Sequence, residues 1–127
     1  MDLTDRDYAE LSAIIPSNTH ILDYRNIDDM RDIWCDEAEF SVNEPAYLAS
    51  GRDDIIAMLS LIRSSHPEVR HVVTTSWIRV DDEVVIESYL QIFNTTAMMV
   101  TMFARYRDTG VRTPVGWRIA KRTCPNG

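Results

Sequence analysis

Apolar positions in the first half of the chain recur at helical intervals. Tyr8, Leu11, Ile14 and Ile15 share one face. Thr4, with Asp7 three residues on, resembles a capping box with Asp in place of Glu. Pro16 lacks an amide donor and disfavours helix at Ile15, so a break or kink is expected there. Ser17 then caps a restart that carries His20, Ile21, Leu22 and Tyr24. Asn26 with Asp29 marks another start, with Ile27, Met30, Ile33 and Trp34 as its apolar stripe, and a short strand follows over Glu39 to Val42. The clearest helix opens at Ser50-Gly51. Asp53 and Asp54 lie in its first turn, where the helix dipole favours negative charge. Ile55, Ile56, Met58, Leu59, Leu61 and Ile62 give it a wide apolar face, and Ser64, Ser65 and Pro67 end it.

After Pro67 the pattern turns to that of strands. Val69 to Val80 is rich in β-branched residues, Asp81-Asp82 reads as a tight turn, and Glu83 to Asn94 is a second long strand. Ala97 to Arg107 is a third, Asp108-Thr109-Gly110 a further turn, and Trp117 to Cys124 the last strand. Long strands joined by short turns are antiparallel. Helices first and a meander afterwards make an α+β fold, with the helices covering one face of a strongly curved sheet. A length of 127 residues suits one domain spanning 1–127.

Composition narrows the function classes. The chain is 45% hydrophobic and 26% charged, which argues against disorder. No apolar run approaches the roughly 20 residues of a membrane span, and the acidic start, MDLTDRDYAE, does not read as a signal or transit peptide. Thirteen basic against 20 acidic residues give a net charge of −7, which disfavours a nucleic-acid partner. Two cysteines, Cys35 and Cys124, are too few for a disulfide scaffold and suit a reduced, cytoplasmic protein.

A curled sheet closed by helices leaves room for a small ligand. Trp34, Phe40, Met58, Met98, Met99, Met102 and Phe103 are candidate lining, although the plainer reading of each is ordinary core. Strand alternation sends only half of the 98–103 run inward. Two polar residues stand out on apolar elements: Asp23, after Ile21 and Leu22, and His71, before Val72 and Val73. If both face the interior, each needs a partner, and each can serve the other. An aspartate on one ring nitrogen fixes the tautomer and leaves the other nitrogen to take a substrate proton. The alternatives are a structural histidine and a helix-end aspartate. His66 and His71 lack metal-ligand spacing, and no metal or cofactor motif occurs. Asp36, Glu37 and Glu39 read as a solvated face, and Arg105 and Arg107 as surface or ion-pair residues.

Four stretches, ILDYRNIDDMRDIWCDEAEF, GRDDIIAML, RHVVTTSWIRVDDE and FARYRDTGVRTPVGWRIAKRTC, together resemble the SnoaL-like branch of the nuclear-transport-factor-2-like superfamily. The resemblance runs from Tyr8 to Cys124 and centres on Gly116-Trp117-Arg118. It implies a cone-shaped α+β fold, a curved antiparallel sheet around a pocket closed by amino-terminal helices. Its relatives are polyketide cyclases, ketosteroid isomerases, dehydratases and the small subunits of ring-hydroxylating dioxygenases. Asp23 and His71 match the acid–base pair of dehydratase-like members. Asn18 stands where those members carry a tyrosine, Asn94 where a carboxylate is expected, and Thr75 where an asparagine is frequent. In the isomerase pattern Glu44 could stand in for the base, while Met102 falls at the oxyanion acid and cannot donate a proton.

These observations favour an acid–base enzyme for a hydrophobic cyclic or polyketide-like substrate. His71 is its base and Asp23 orients it. Tyr47 or Tyr89 supplies a proton, and Asn18, Trp34, Phe40, Met58, Asn94 and Met102 complete the binding site. Elimination of water ranks first, with isomerisation or cyclisation behind it. A binder without chemistry and a subunit of a larger enzyme are the other readings. Neither cofactor nor metal is expected, and self-association as a homodimer or homotrimer is.

Overall fold

A computed structural model describes residues 2–43 and 46–125. Helix α1 spans Asp5–Tyr24, followed by a 3₁₀ turn at Ile27–Asp32, strands β1 (Trp34–Asn43) and β2 (Ala46–Ser50), and helix α2 (Arg52–Ser65). Strands β3 (Val69–Val80), β4 (Val84–Asn94), β5 (Met99–Thr113) and β6 (Gly116–Cys124) complete one sheet, ordered β2-β1-β6-β5-β4-β3. Every neighbouring pair is antiparallel except β1 and β6, which run parallel, so the expected antiparallel sheet is mixed.

The Thr4–Asp7 capping box forms as expected. Pro16, by contrast, does not break α1. Its ring is exposed, so the Ser12 carbonyl that loses its donor faces water. Leu11, Ile14, Ile15, Asn18 and Leu22 meanwhile bury the opposite face on both sides of it. Asn26 starts only a short 3₁₀ turn, and its side chain accepts from the Asp28 amide. Gly51 opens α2 at φ +89°, a conformation that favours glycine. Ile55, Ile56 and Leu59 of α2 are buried, while Leu61 points to solvent. The β2 strand was not expected at all. The expected turn at Asp108-Thr109-Gly110 is instead the middle of β5, paired to both β4 and β6, and the chain reverses at residues 114–115.

Register sorts the helix-covered face into rows. His71, Ile92 and Met102 form one, and Val73, Leu90 and Ala104 the next. Ile78, Ile86, Asp108, Arg122, Phe40 and Ala49 cross the whole sheet as another. A bulge between Thr74 and Trp77 sets two β3 residues against Ser88 alone. Thr75 there sits at φ +57°, which costs a β-branched residue about 1–3 kcal/mol.

Asp7 ties α1 to the sheet. Its carboxylate accepts from the Thr4 amide at 2.9 Å, the Trp117 indole at 3.0 Å and Arg112 at 2.6 Å. The Thr4 amide first, then the indole, hold its carboxyl well below the usual carboxylate range despite burial. At acid pH the unfolded carboxyl takes up a proton before the folded one, so this contribution is present at neutral pH and fades as pH falls. Asp7→Asn is therefore expected to be less stable than the parent near pH 7. The gap should narrow below about pH 4. Urea denaturation at neutral and acid pH checks it, and a gap that widens toward acid contradicts it.

Candidate active site

The end of α1 is positioned by its neighbours. It carries no basic residue in its own last turn, and Arg63 of α2 donates to the Ile21 carbonyl at 3.3 Å in compensation. Arg70 of β3 donates to the Tyr24 hydroxyl at 2.8 Å, with its guanidinium over the Tyr24 ring. Between these anchors, Asp23 meets His71. One carboxylate oxygen lies 2.8 Å from the His71 Nδ1, and the other accepts the His71 backbone N–H at 2.8 Å. The side chains are 6% and 12% exposed. An ionised carboxylate only accepts, so in the neutral ring Nδ1 carries the proton and Nε2 keeps its lone pair.

The structure brings together some of the other expected residues and scatters the rest. Asn18 is buried on α1, and its Oδ1 has no hydrogen-bond partner among the described residues. Trp34 and Phe40 are buried in the core, although Trp34 also borders a cavity. Their ring centroids lie 5.8 Å apart, and the Arg122 guanidinium lies over both rings. Tyr47 stacks on Phe40, and partial burial pushes its hydroxyl pKa up. Met58 is half-buried against the core. Met102 shares the His71 row but is 46% exposed.

Two expected residues lie elsewhere. Tyr89 faces the other side of the sheet and meets Phe103 edge-on at 5.6 Å, because strand alternation places it opposite the Ser88–Leu90 face. Asn94 spends its side-chain carbonyl on the Thr96 and Ala97 amides, building the β4–β5 turn. Glu44 lies outside the described residues.

Sequence reasoning missed the most deeply buried polar group. Arg122 and Asp108, 1% and 0% exposed, form a two-pronged ion pair at 2.6 and 3.1 Å. The Tyr106 ring lies 3.8 Å from the guanidinium carbon. Burial works against the Arg122 charge, but the Asp108 carboxylate beside it more than offsets this and raises its pKa. Burial also keeps the Tyr106 phenol and the Cys124 thiol protonated, the latter with a pKa pushed up to about 11. The signal was the alternation of Ala104, Tyr106 and Asp108 on one strand face.

Five cavities among the described residues take no lining from Asp23 or His71. The largest of them, about 650 Å³, opens beside Trp34 among Arg31, Arg52 and Arg118. Among the described residues, no cluster of His, Cys, Asp or Glu could hold a metal ion, and no helix is long and apolar enough to cross a membrane.

Comparison with known proteins agrees with this architecture. A protein with a cystatin-like fold from Nostoc punctiforme superposes with a TM-score of 0.85 at 18% identity, covering 100% of this chain and 96% of its own. A nuclear-transport-factor-2-like protein from Novosphingobium aromaticivorans gives 0.84 at 20% identity, covering 95% and 82%. Aln2 from a Streptomyces species gives 0.82 at 19%, covering 99% and 94%. At these identities the likeness concerns the fold. No curated protein matches the sequence. The model of the SnoaL-like domain matches residues 5–123. Since that match takes in both helices and all six strands, the chain belongs to the SnoaL-like family.

Proposed function

We propose that this protein is an acid–base enzyme for a hydrophobic cyclic or polyketide-like small molecule, and that elimination of water is its reaction. The superfamily includes polyketide cyclases and isomerases. The observation that carries the reading is the Asp23 carboxylate, which engages both the ring and the backbone of His71. In this reading His71 Nε2 removes a proton beside a carbonyl, and Asp23 steadies the imidazolium that forms. The substrate approaches along the row of Ile92 and Met102, where the sheet is open to solvent. With Tyr89 on the other side of the sheet, the remaining phenol expected to supply a proton is Tyr47, on β2 at the sheet edge opposite β3.

A cyclic β-hydroxyketone should lose water in the presence of the protein, followed by the ultraviolet absorbance of the enone. In D₂O its α-proton should exchange faster than in buffer. Equal exchange with the parent protein and with His71→Ala would end the proposal. Asn18 at the position of the family phenol favours a second reading, a binder without chemistry, which predicts ligand binding with no exchange at all.

A further inference from the structure

We infer a second small-molecule site, in the cleft between the first half of α1 and the edge strand β3, suited to a neutral, planar ring compound bearing a hydroxyl or carbonyl. The cleft is about 300 Å³ and is lined by Tyr8, Leu11, Ser12 and Ile15 of α1, Ser76, Trp77 and Ile78 of β3, and Ile86 of β4. That volume sits at the lower end of the range for small-ligand pockets.

Three observations define the ligand. First, no residue of the lining carries a charge, whereas each of the other four cavities includes Arg, Asp or Glu. In a chain with 26% charged residues, a neutral lining at the surface selects against ions, which would have to shed water with nothing to replace it.

Second, Tyr8 stands at the cleft beside Leu11 and Ile15 while 44% exposed, an aromatic wall for a planar ring. Trp77 borders the cleft by its place on β3, but its indole lies on the other face of the sheet, against Arg79 and opposite Glu87.

Third, the β3 bulge supplies the polar group. Thr75 in the left-handed region shifts the alternation, so that His71 and Val73 before it and Ser76 and Ile78 after it share the helix-covered face. Ser76 Oγ lies 3.2 Å from the buried Ser88 Oγ. One of these hydroxyls donates to the other, and Ser76, at the cleft, retains capacity for a ligand oxygen. Ser12 adds a second hydroxyl from α1.

The cleft is separate from the Asp23–His71 pair. Ser76 is five residues along β3 from His71, about 16 Å at strand rise. The two sites can therefore fail independently.

The test uses the whole protein with 2-naphthol as probe and 2-naphthoate as its anionic counterpart, by calorimetry. We expect 2-naphthol to bind, and 2-naphthoate to bind at least about tenfold more weakly. Tyr8→Ala, and separately Ser12→Phe, which fills the cleft from an exposed helix position, should each weaken 2-naphthol about tenfold or more. His71→Ala and Leu61→Ala, the latter at an exposed apolar position on α2, should leave its affinity unchanged. No binding of 2-naphthol, equal binding by Tyr8→Ala, or loss of binding in His71→Ala alone would each overturn the inference.

Discussion

Replacing Asp108 by alanine is expected to cost about 3–5 kcal/mol, a large fraction of the stability of a domain this size. The carboxylate is fully buried, and both of its oxygens are used by Arg122. Its removal leaves a guanidinium enclosed by Trp34, Phe40 and Tyr106 with no counter-charge. The aromatic rings offer some attraction to the cation, but far less than a carboxylate at hydrogen-bond distance. Arg122→Ala should be comparably damaging, because it strands the anion instead. The double replacement Asp108→Val with Arg122→Met removes both charges and roughly keeps the volume. It should recover most of the loss. Urea denaturation of the three variants measures this. A single variant within about 1 kcal/mol of the parent would show that the pair does not carry the charge balance assigned to it.

For activity, the largest effect is expected at Asp23 and His71. His71→Ala should lower turnover about 10²–10⁴-fold if the imidazole is the base. Asp23→Asn is the more informative change, because it keeps the shape and leaves the imidazole in place. The carboxylate now accepts from both the backbone N–H and Nδ1 of His71. An amide has a single acceptor oxygen. If the backbone N–H keeps it, Nδ1 meets an NH₂ donor and must give up its proton. The ring then carries its proton on Nε2, where a base needs a lone pair. Asp23→Asn should therefore approach His71→Ala in its effect on rate. Nitrogen-15 NMR of the ring should show the change of tautomer. A normal rate together with an altered tautomer would remove His71 from the reaction.

Much of the fold was legible because several signals coincide. The bounds of β3 follow from Pro67 and Asp81-Asp82, which flank a β-branched run, and both ends agree with the structure. The Thr4–Asp7 cap was readable from spacing alone. Asp108-Thr109-Gly110 misled because turn composition and buried strand look alike locally. Only the distant Arg122 makes an aspartate tolerable there. Pro16 misled because tertiary burial on the opposite face of α1 outweighs one lost hydrogen bond.

At the site, Asp23 and His71 were visible as polar residues on apolar elements, although 48 positions separate them. The placement of Tyr89 and Met102 was not. The side of the sheet a residue takes depends on bulges, and those between Thr74 and Trp77 and between Ile92 and Phe93 leave no mark in the hydrophobic pattern.

The parallel pairing of β1 with β6 has a bearing on synthesis. β6 follows the other five strands of the sheet along the chain, yet it lies between β1 and β5. Until it emerges from the ribosome, the early hairpin and the later three-stranded meander are two half-sheets with unmatched inner edges. Closure is thus a late, long-range event, which slows folding and exposes those edges to wrong partners. A nascent chain stalled before Gly116 should be a ready client for chaperones, and release of the nine-residue β6 should end that dependence.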